Sequence, residues 1–182
     1  MARFPTRIRL AEDGLVLRDW TDEDLPTMVA LFDDPVVGRW TPLASPFTTE
    51  SARDYLAAAH RSRDINRGIQ LAITADGRSA LGEVLLFRTA RPGEGELAYA
   101  VGAMHRGQDL AHRAVTVLRG YAETALGIDR PLLRIDPDNA ASRAVAAKAG
   151  FVETDEPIVE RSRSGGRTVR LRTWRPAASG RY

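Results

Sequence analysis

Cysteine is absent from the 182 residues. That excludes disulfides, thiolate metal sites and a cysteine nucleophile together. Lysine is almost absent: Lys148 stands alone, and arginine supplies every other basic side chain. No apolar run is long enough to span a bilayer, and the first residues lack the charged-then-apolar pattern of a leader. The expectation is a cytoplasmic protein with no membrane partner. Charge of one sign is scarce: 26 basic residues face 24 acidic ones for a net +2. The basic residues are scattered among acids, so the footprint of a nucleic-acid binder is missing. His60, His105 and His112 have no i, i+4 partner, and no metal is expected.

What is present is ordinary globular composition, 43% hydrophobic and 27% charged, at a length that suits one domain over residues 1–182. Gly14 to Trp20 reads as a strand. Thr21 caps a helix whose apolar face is Leu25, Met28, Val29 and Phe32, and Asp34-Pro35 ends it. A loop rich in proline and aromatics runs from Trp40 to Phe47. Thr48 or Thr49 opens a second helix, through about His60. Ile69–Thr74 and Ala80–Phe87 are strands around an Asp76-Gly77 turn, and a third strand starts at Glu96. A helix from about Gln108 to near Gly127, a strand Pro131–Ile135, a helix from Asn139 to Gly150 and a terminal hairpin around Ser164-Gly165-Gly166 complete the order. The tail after Pro176 is small and polar, and is expected to fray. Strands joined by turns should be antiparallel, and the two flanking the long helix parallel. The fold class is α/β, with a mixed, mostly antiparallel sheet and helices packed on it.

The stretch Glu96 to Phe151 points most directly to function. The strand Glu96-Leu-Ala-Tyr-Ala-Val101 runs into the turn Arg106-Gly-Gln-Asp-Leu-Ala111, from which a helix opens. Backbone N–H groups of Gln108, Asp109, Leu110 and Ala111 at a helix N-terminus suit a pyrophosphate. Gly107 permits close approach, and Arg106 either pairs with phosphate or holds the turn. Asp136-Pro-Asp-Asn-Ala-Ala-Ser142 and Lys148-Ala-Gly-Phe151 then bracket a second helix.

These three segments, in this order, resemble the GNAT-fold N-acetyltransferases, in particular the branch that acetylates ribosomal-protein N-termini. The resemblance implies a sheet splayed between the fourth and fifth of the strands named above, with helices on both faces. It implies acetyl-CoA as acyl donor and a primary amine as acceptor, attacked directly. A peptide or protein N-terminus, an amino sugar, a polyamine or a peptide antibiotic would each serve. A monomer or a homodimer paired through the terminal hairpin is compatible with it. Backbone groups near Ala100 and Val101 should meet the pantetheine arm, with Asn139 beside them and Lys148 at the cofactor rim. Ser142 is implied near the sulfur as the acid; many of these enzymes place a tyrosine further along that helix, where this chain has Ala146. Glu96 is the leading base, with Glu83 in reserve, and Trp40, Phe47 and Tyr99 are candidate walls of the acceptor groove. Asp109 departs from the family's Arg-Gly-x-Gly-x-Ala pattern at its second glycine. Its carboxylate either faces solvent and only weakens cofactor binding, or marks a non-catalytic, ligand-sensing relative.

Overall fold

The computed structural model describes residues 2–12, 14–163 and 166–177. Nine strands are β1 (Arg9–Glu12), β2 (Leu15–Asp19), β3 (Gly68–Thr74), β4 (Ala80–Arg88), β5 (Glu94–Val101), β6 (Arg130–Ile135), β7 (Phe151–Glu153), β8 (Val159–Ser162) and β9 (Thr168–Pro176). The α-helices are α1 (Leu25–Phe32), α2 (Pro35–Trp40), α3 (Thr49–Asp64), α4 (Leu110–Ala125) and α5 (Ala140–Lys148). The sheet order is β1-β2-β3-β4-β5-β6-β9-β7, with β8 on β9. β2 to β5 are antiparallel neighbours, and β5 runs parallel to β6, because α4 carries the chain back across the sheet. Two features of the terminal region fall on residues outside those described: Ser164-Gly165 in the hairpin turn, and the tail from Ala178.

Residue alternation sorts the two faces. Leu71 and Ile73 of β3, Val84 and Leu86 of β4 and Leu97 of β5 join Leu110, Ala114, Val115 and Leu118 of α4 in one core. The opposite face packs Ala72 against Met28 and Phe32 of α1 and Ala52 and Leu56 of α3. The next residues on that face are Glu83, Leu85 and Phe87 of β4 and Glu96, Ala98 and Ala100 of β5. Small Ala98 and Ala100 leave the floor of a cavity, with Ala100 at the margin of the α1–α3 core.

Three elements escaped the sequence reading, β1, β7 and α2; of these, β7 follows the last helix directly and pairs with β9. β1 adds an edge strand to β2. The predicted loop begins instead with the short helix α2: Asp34 ends α1 but caps a new start, its carboxylate accepting from the N–H groups of Val36 and Val37 at 2.7 and 3.0 Å, with Pro35 at the first helical position. α3 also runs to Asp64, one turn past His60.

Phe47 is corrected here. It was expected to face the acceptor, but it is 2% exposed, packed edge-on against Phe32 at 5.6 Å and near Tyr55 at 6.3 Å. Its N–H donates to Asp33, which pins the loop end to α1. Phe47→Ala should therefore destabilise the fold by about 3–5 kcal/mol in denaturant unfolding, while acceptor KM in the surviving folded fraction stays unchanged.

Candidate active site

The site begins where β5 and β6 part. Their pairing ends at Leu97↔Leu133. Beyond it, Leu133 to Ile135 of β6 pair with β9, and β5 continues beside β4 alone. The Thr89 N–H bonds the Glu94 carbonyl and the Gly102 N–H bonds the Leu81 carbonyl, so even-numbered residues of β5 use their backbone groups on β4. Odd-numbered residues, Tyr99 and Val101, then turn theirs to the gap. This refines the expectation for Ala100: its backbone belongs to the sheet, and Tyr99 and Val101 hold the groups that a pantetheine chain could meet. The Val101 carbonyl already accepts from Arg106 Nε at 3.2 Å.

Two cavities meet through this gap. The smaller, about 340 Å³, is lined by Val101, Arg106, Gly107, Asp109, Leu110, Ala111 and the α5 residues through Lys148. The larger, about 710 Å³, opens over Leu85, Phe87, Ala98 and Ala100, walled by Trp40, Glu83, Glu96 and residues near β8. Trp40, Thr41, Tyr99, Ala100, Asn139 and Ser142 line both. Trp40 walls both cavities, with the Arg39 guanidinium 4.5 Å over its ring. Gln108 borders neither cavity; it is exposed and its side chain reaches the Met104 carbonyl at 3.4 Å.

The turn before α4 fits a pyrophosphate. Gly107 adopts φ 77°, and a Cβ there would meet nothing, so the approach is open. Asp109 occupies the left-handed region at φ 57°, ψ 12°, the conformation for which glycine is the easy choice and aspartate one of the tolerated residues. The departure in sequence therefore keeps the glycine geometry. The first N–H groups of α4 remain without intrahelical partners and aim at the cavity. The Asp109 carboxylate turns aside onto Lys148 Nζ at 2.5 Å, which holds the carboxyl below its ordinary range. Arg106 pairs with Asp34 at 3.1 Å and so ties the turn to the start of α2. His105 and His112 line the smaller cavity.

Asn139 caps α5, accepting from the Ser142 N–H at 3.0 Å. Tyr99 crosses the gap and donates its hydroxyl to the Ser142 carbonyl at 3.2 Å. Burial pushes the Tyr99 phenol up to about 12. Ala146, the position for which the family resemblance implied a tyrosine, is sealed in the core. The phenol at this junction comes instead from β5.

The two acids stand differently. Both oxygens of Glu96 accept from Arg161, at 2.7 and 2.6 Å, and Arg134 lies 3.5 Å away. Both carboxylate oxygens of Glu96 are thus already taken up by guanidinium groups. Glu83, directly opposite Ala100, is 2% exposed and carries no cation. It accepts from the Tyr55 hydroxyl at 2.6 Å and Trp20 Nε1 at 3.2 Å. Burial raises it to about 7 against those two hydrogen bonds. Its position in a run of strand residues gave no sign of this; the signal was its place on the same face as Ala98 and Ala100.

A family model described as an acetyltransferase (GNAT) domain matches residues 14–152. The chain belongs to the GNAT acetyltransferase family. It is 27% identical over 146 residues, 78% of this chain and 81% of the other, to the uncharacterized N-acetyltransferase YoaA of Bacillus subtilis (strain 168). Mycobacterium smegmatis RimJ in complex with CoA-disulfide shares the fold at TM-score 0.75 and 20% identity, over 93% of this chain and 86% of that one. The ribosomal-protein-S5-alanine acetyltransferase of Vibrio fischeri does so at TM-score 0.73 and 20% identity, over 91% and 95%. As a GNAT acetyltransferase, this protein uses acetyl-CoA to acylate an amine, and the open turn, the unpaired gap and the smaller cavity suit that cofactor.

Asp109→Gly should tighten acetyl-CoA binding severalfold in calorimetry, because it removes a carboxylate from the phosphate cradle and frees Lys148. Lys148→Ala should act in the opposite direction, leaving Asp109 unopposed. Unchanged affinity in both variants would place the pair outside the cofactor's reach.

Proposed function

We propose that the protein transfers acetyl directly from acetyl-CoA to a primary amine, with a peptide or protein N-terminus as the leading acceptor and the cytoplasm as its setting. The observation that carries this reading is the meeting of the two cavities at Tyr99, Ala100 and Ser142, with Glu83 beside Ala100 on the same face of the sheet. Acetyl-CoA supplies an electrophilic thioester carbonyl at that junction. No cysteine is available for a covalent relay.

Each step then falls to a named group. Glu83 takes a proton from the acceptor ammonium, directly or through one water; near 7, it is poised for this at neutral pH. Trp40 and the Ala98–Ala100 floor orient the freed amine toward the gap. The Val101 N–H, facing that gap, meets the negative charge that grows on the carbonyl oxygen as the C–N bond forms. Tyr99 gives its phenolic proton to the departing sulfur as the C–S bond breaks, and the phenolate regains one, through water, from the former amine nitrogen, which sheds its second proton as the amide forms. Even at about 12 the phenol is a stronger acid than the alkyl hydroxyl of Ser142, so Ser142, the acid that the family resemblance implied, is here a positioning group. Asn139 holds the first turn of α5 in place beside it. Monomer and homodimer both leave this site intact.

Glu83→Gln tests the base. In the native enzyme kcat/KM should rise with pH through about 7, and the variant should lose that limb together with about 10²–10⁴-fold in rate. Stability moves the other way. A carboxyl raised in the fold contributes stability below its unfolded value near 4.5, and that contribution is lost as pH rises to about 7. The Gln variant should therefore gain Tm relative to the native protein on going from pH 5 to pH 8, with a ceiling of about 3 kcal/mol. A variant that keeps the limb excludes Glu83 as the base.

Tyr99→Phe should lower kcat by about 10²-fold, with acetyl-CoA affinity little changed, and Ser142→Ala by clearly less. The reverse ranking in steady-state kinetics would return the acid to Ser142.

A further inference from the structure

The far end of the larger cavity is built from arginine. Arg161 of β8 and Arg134 of β6 share the single carboxylate of Glu96. Arg163, just past β8, also lines the cavity, and its Nε is buried without a hydrogen-bond partner. Among the described residues, no carboxylate lies within ion-pairing distance of Arg163. Asp136, the other acid at this end, accepts from the Asp138 N–H in its own turn. Burial and the neighbouring Arg161 and Arg167 together hold the Arg163 guanidinium below its ordinary pKa. A half-buried cation beside other cations, at a cavity wall and with a buried donor unmet, is costly unless an anion arrives to offset the charge.

The spacing says what kind of anion-bearing acceptor fits. Glu83 faces Ala100, and Glu96 lies four residues back on the same face of β5. At the rise of a strand, that is roughly 13 Å between the proton-accepting end and the Arg161–Glu96 pair. A free α-amino acid, whose amine and carboxylate share one Cα, cannot reach both. An extended peptide covers the distance in about three to four residues. Polyamines and polycationic amino sugars would bring more positive charge to a wall that already has an excess.

We propose that the acceptor is an extended peptide N-terminus bearing a carboxylate three or four residues from the reacting amine, received by Arg163 with Arg161 alongside. This rests on the acetyltransferase reading above, in which the amine lies between Glu83 and the gap. Arg163 selects the acceptor, whereas Glu96 keeps Arg161 and Arg134 in position.

Calorimetry on the full chain saturated with CoA tests this without requiring turnover. The probes are amidated tetrapeptides that differ only in Glu, Gln, Lys or phosphoserine at the third or fourth residue, and one non-amidated Gln peptide whose carboxylate is the C-terminus. The Glu peptides should bind about 10–100-fold tighter than the Gln peptides, as a charge-assisted hydrogen bond implies, and the Lys peptides weakest. Arg163→Gln should bring the Glu and Gln peptides level, and Arg163→Lys should restore part of the gap, while acetyl-CoA affinity stays at its native value and Tm does not fall. Tight binding of the non-amidated Gln peptide would show a terminal carboxylate serving in the same role. Equal or undetectable affinity for the Glu and Gln peptides, or a preference that survives Arg163→Gln, overturns the proposal. Phosphoserine bound more than tenfold tighter than Glu overturns the carboxylate in favour of phosphate. Failure of the acetyltransferase reading looks different: the Glu preference persists, yet no peptide is acetylated.

Discussion

The parting of β5 from β6 after Leu97 is the constraint on which the site depends. A sheet strand that loses its neighbour exposes backbone groups that are costly to leave unpaired. Here Leu133 to Ile135 turn to β9, while β5 runs on beside β4 with the outward groups of Tyr99 and Val101 facing the gap. Everything with a chemical role converges on that gap. α4 brings its N-terminus to one end, and α5 crosses the opening and is bonded there by the Tyr99 hydroxyl. The floor of Ala98 and Ala100 lets a second molecule approach from the other face. A chain that closed this gap with a full β5–β6 ladder would keep its cores and lose both cavities' meeting place.

Asp109 shows that backbone geometry can outlast the residue type that usually secures it. The left-handed turn survives with a carboxylate in it, and the charge is compensated 39 positions later by the only lysine. A pair with both partners more than half exposed contributes little to stability. Its role is better understood as local charge balance: without Lys148, an acid would stand unopposed beside backbone donors arranged for phosphate.

Much of this was legible in the sequence because local chemistry and tertiary role coincide. The Gly107 turn, the Asn139 cap and the parallel pair around α4 each follow from residues within a few positions of one another. The short helix α2 was missed because Asp34-Pro35 reads equally well as an end and as a start; only the bonds from Val36 and Val37 decide between them. Phe47 was misplaced because an aromatic residue in a proline-rich loop carries no sign of which way it points. Phe32 and Tyr55, which enclose it, lie on two different helices. The proposed exchange of roles between Glu96 and Glu83 was least legible of all. It turns on Arg161, 65 residues from Glu96 and in a segment with no pattern of its own.

That exchange has a consequence for the chemistry of the acceptor. A cavity wall rich in guanidinium groups disfavours a second positive charge, so it lowers the pKa of an ammonium group entering it. An acceptor amine would reach its reactive neutral form more readily there than in water, and a carboxyl poised near 7 suffices to take the proton. Had Glu96 been free and ionised at the same place, it would have stabilised the ammonium and opposed the attack. Binding that carboxylate to Arg161 and Arg134 therefore serves the reaction twice. It removes a counter-ion that would hold the proton on the amine, and it fixes the cations that set the field. Glu83 escapes the same objection because, in its buried site near neutrality, proton uptake relieves a desolvated charge and does not break an ion pair.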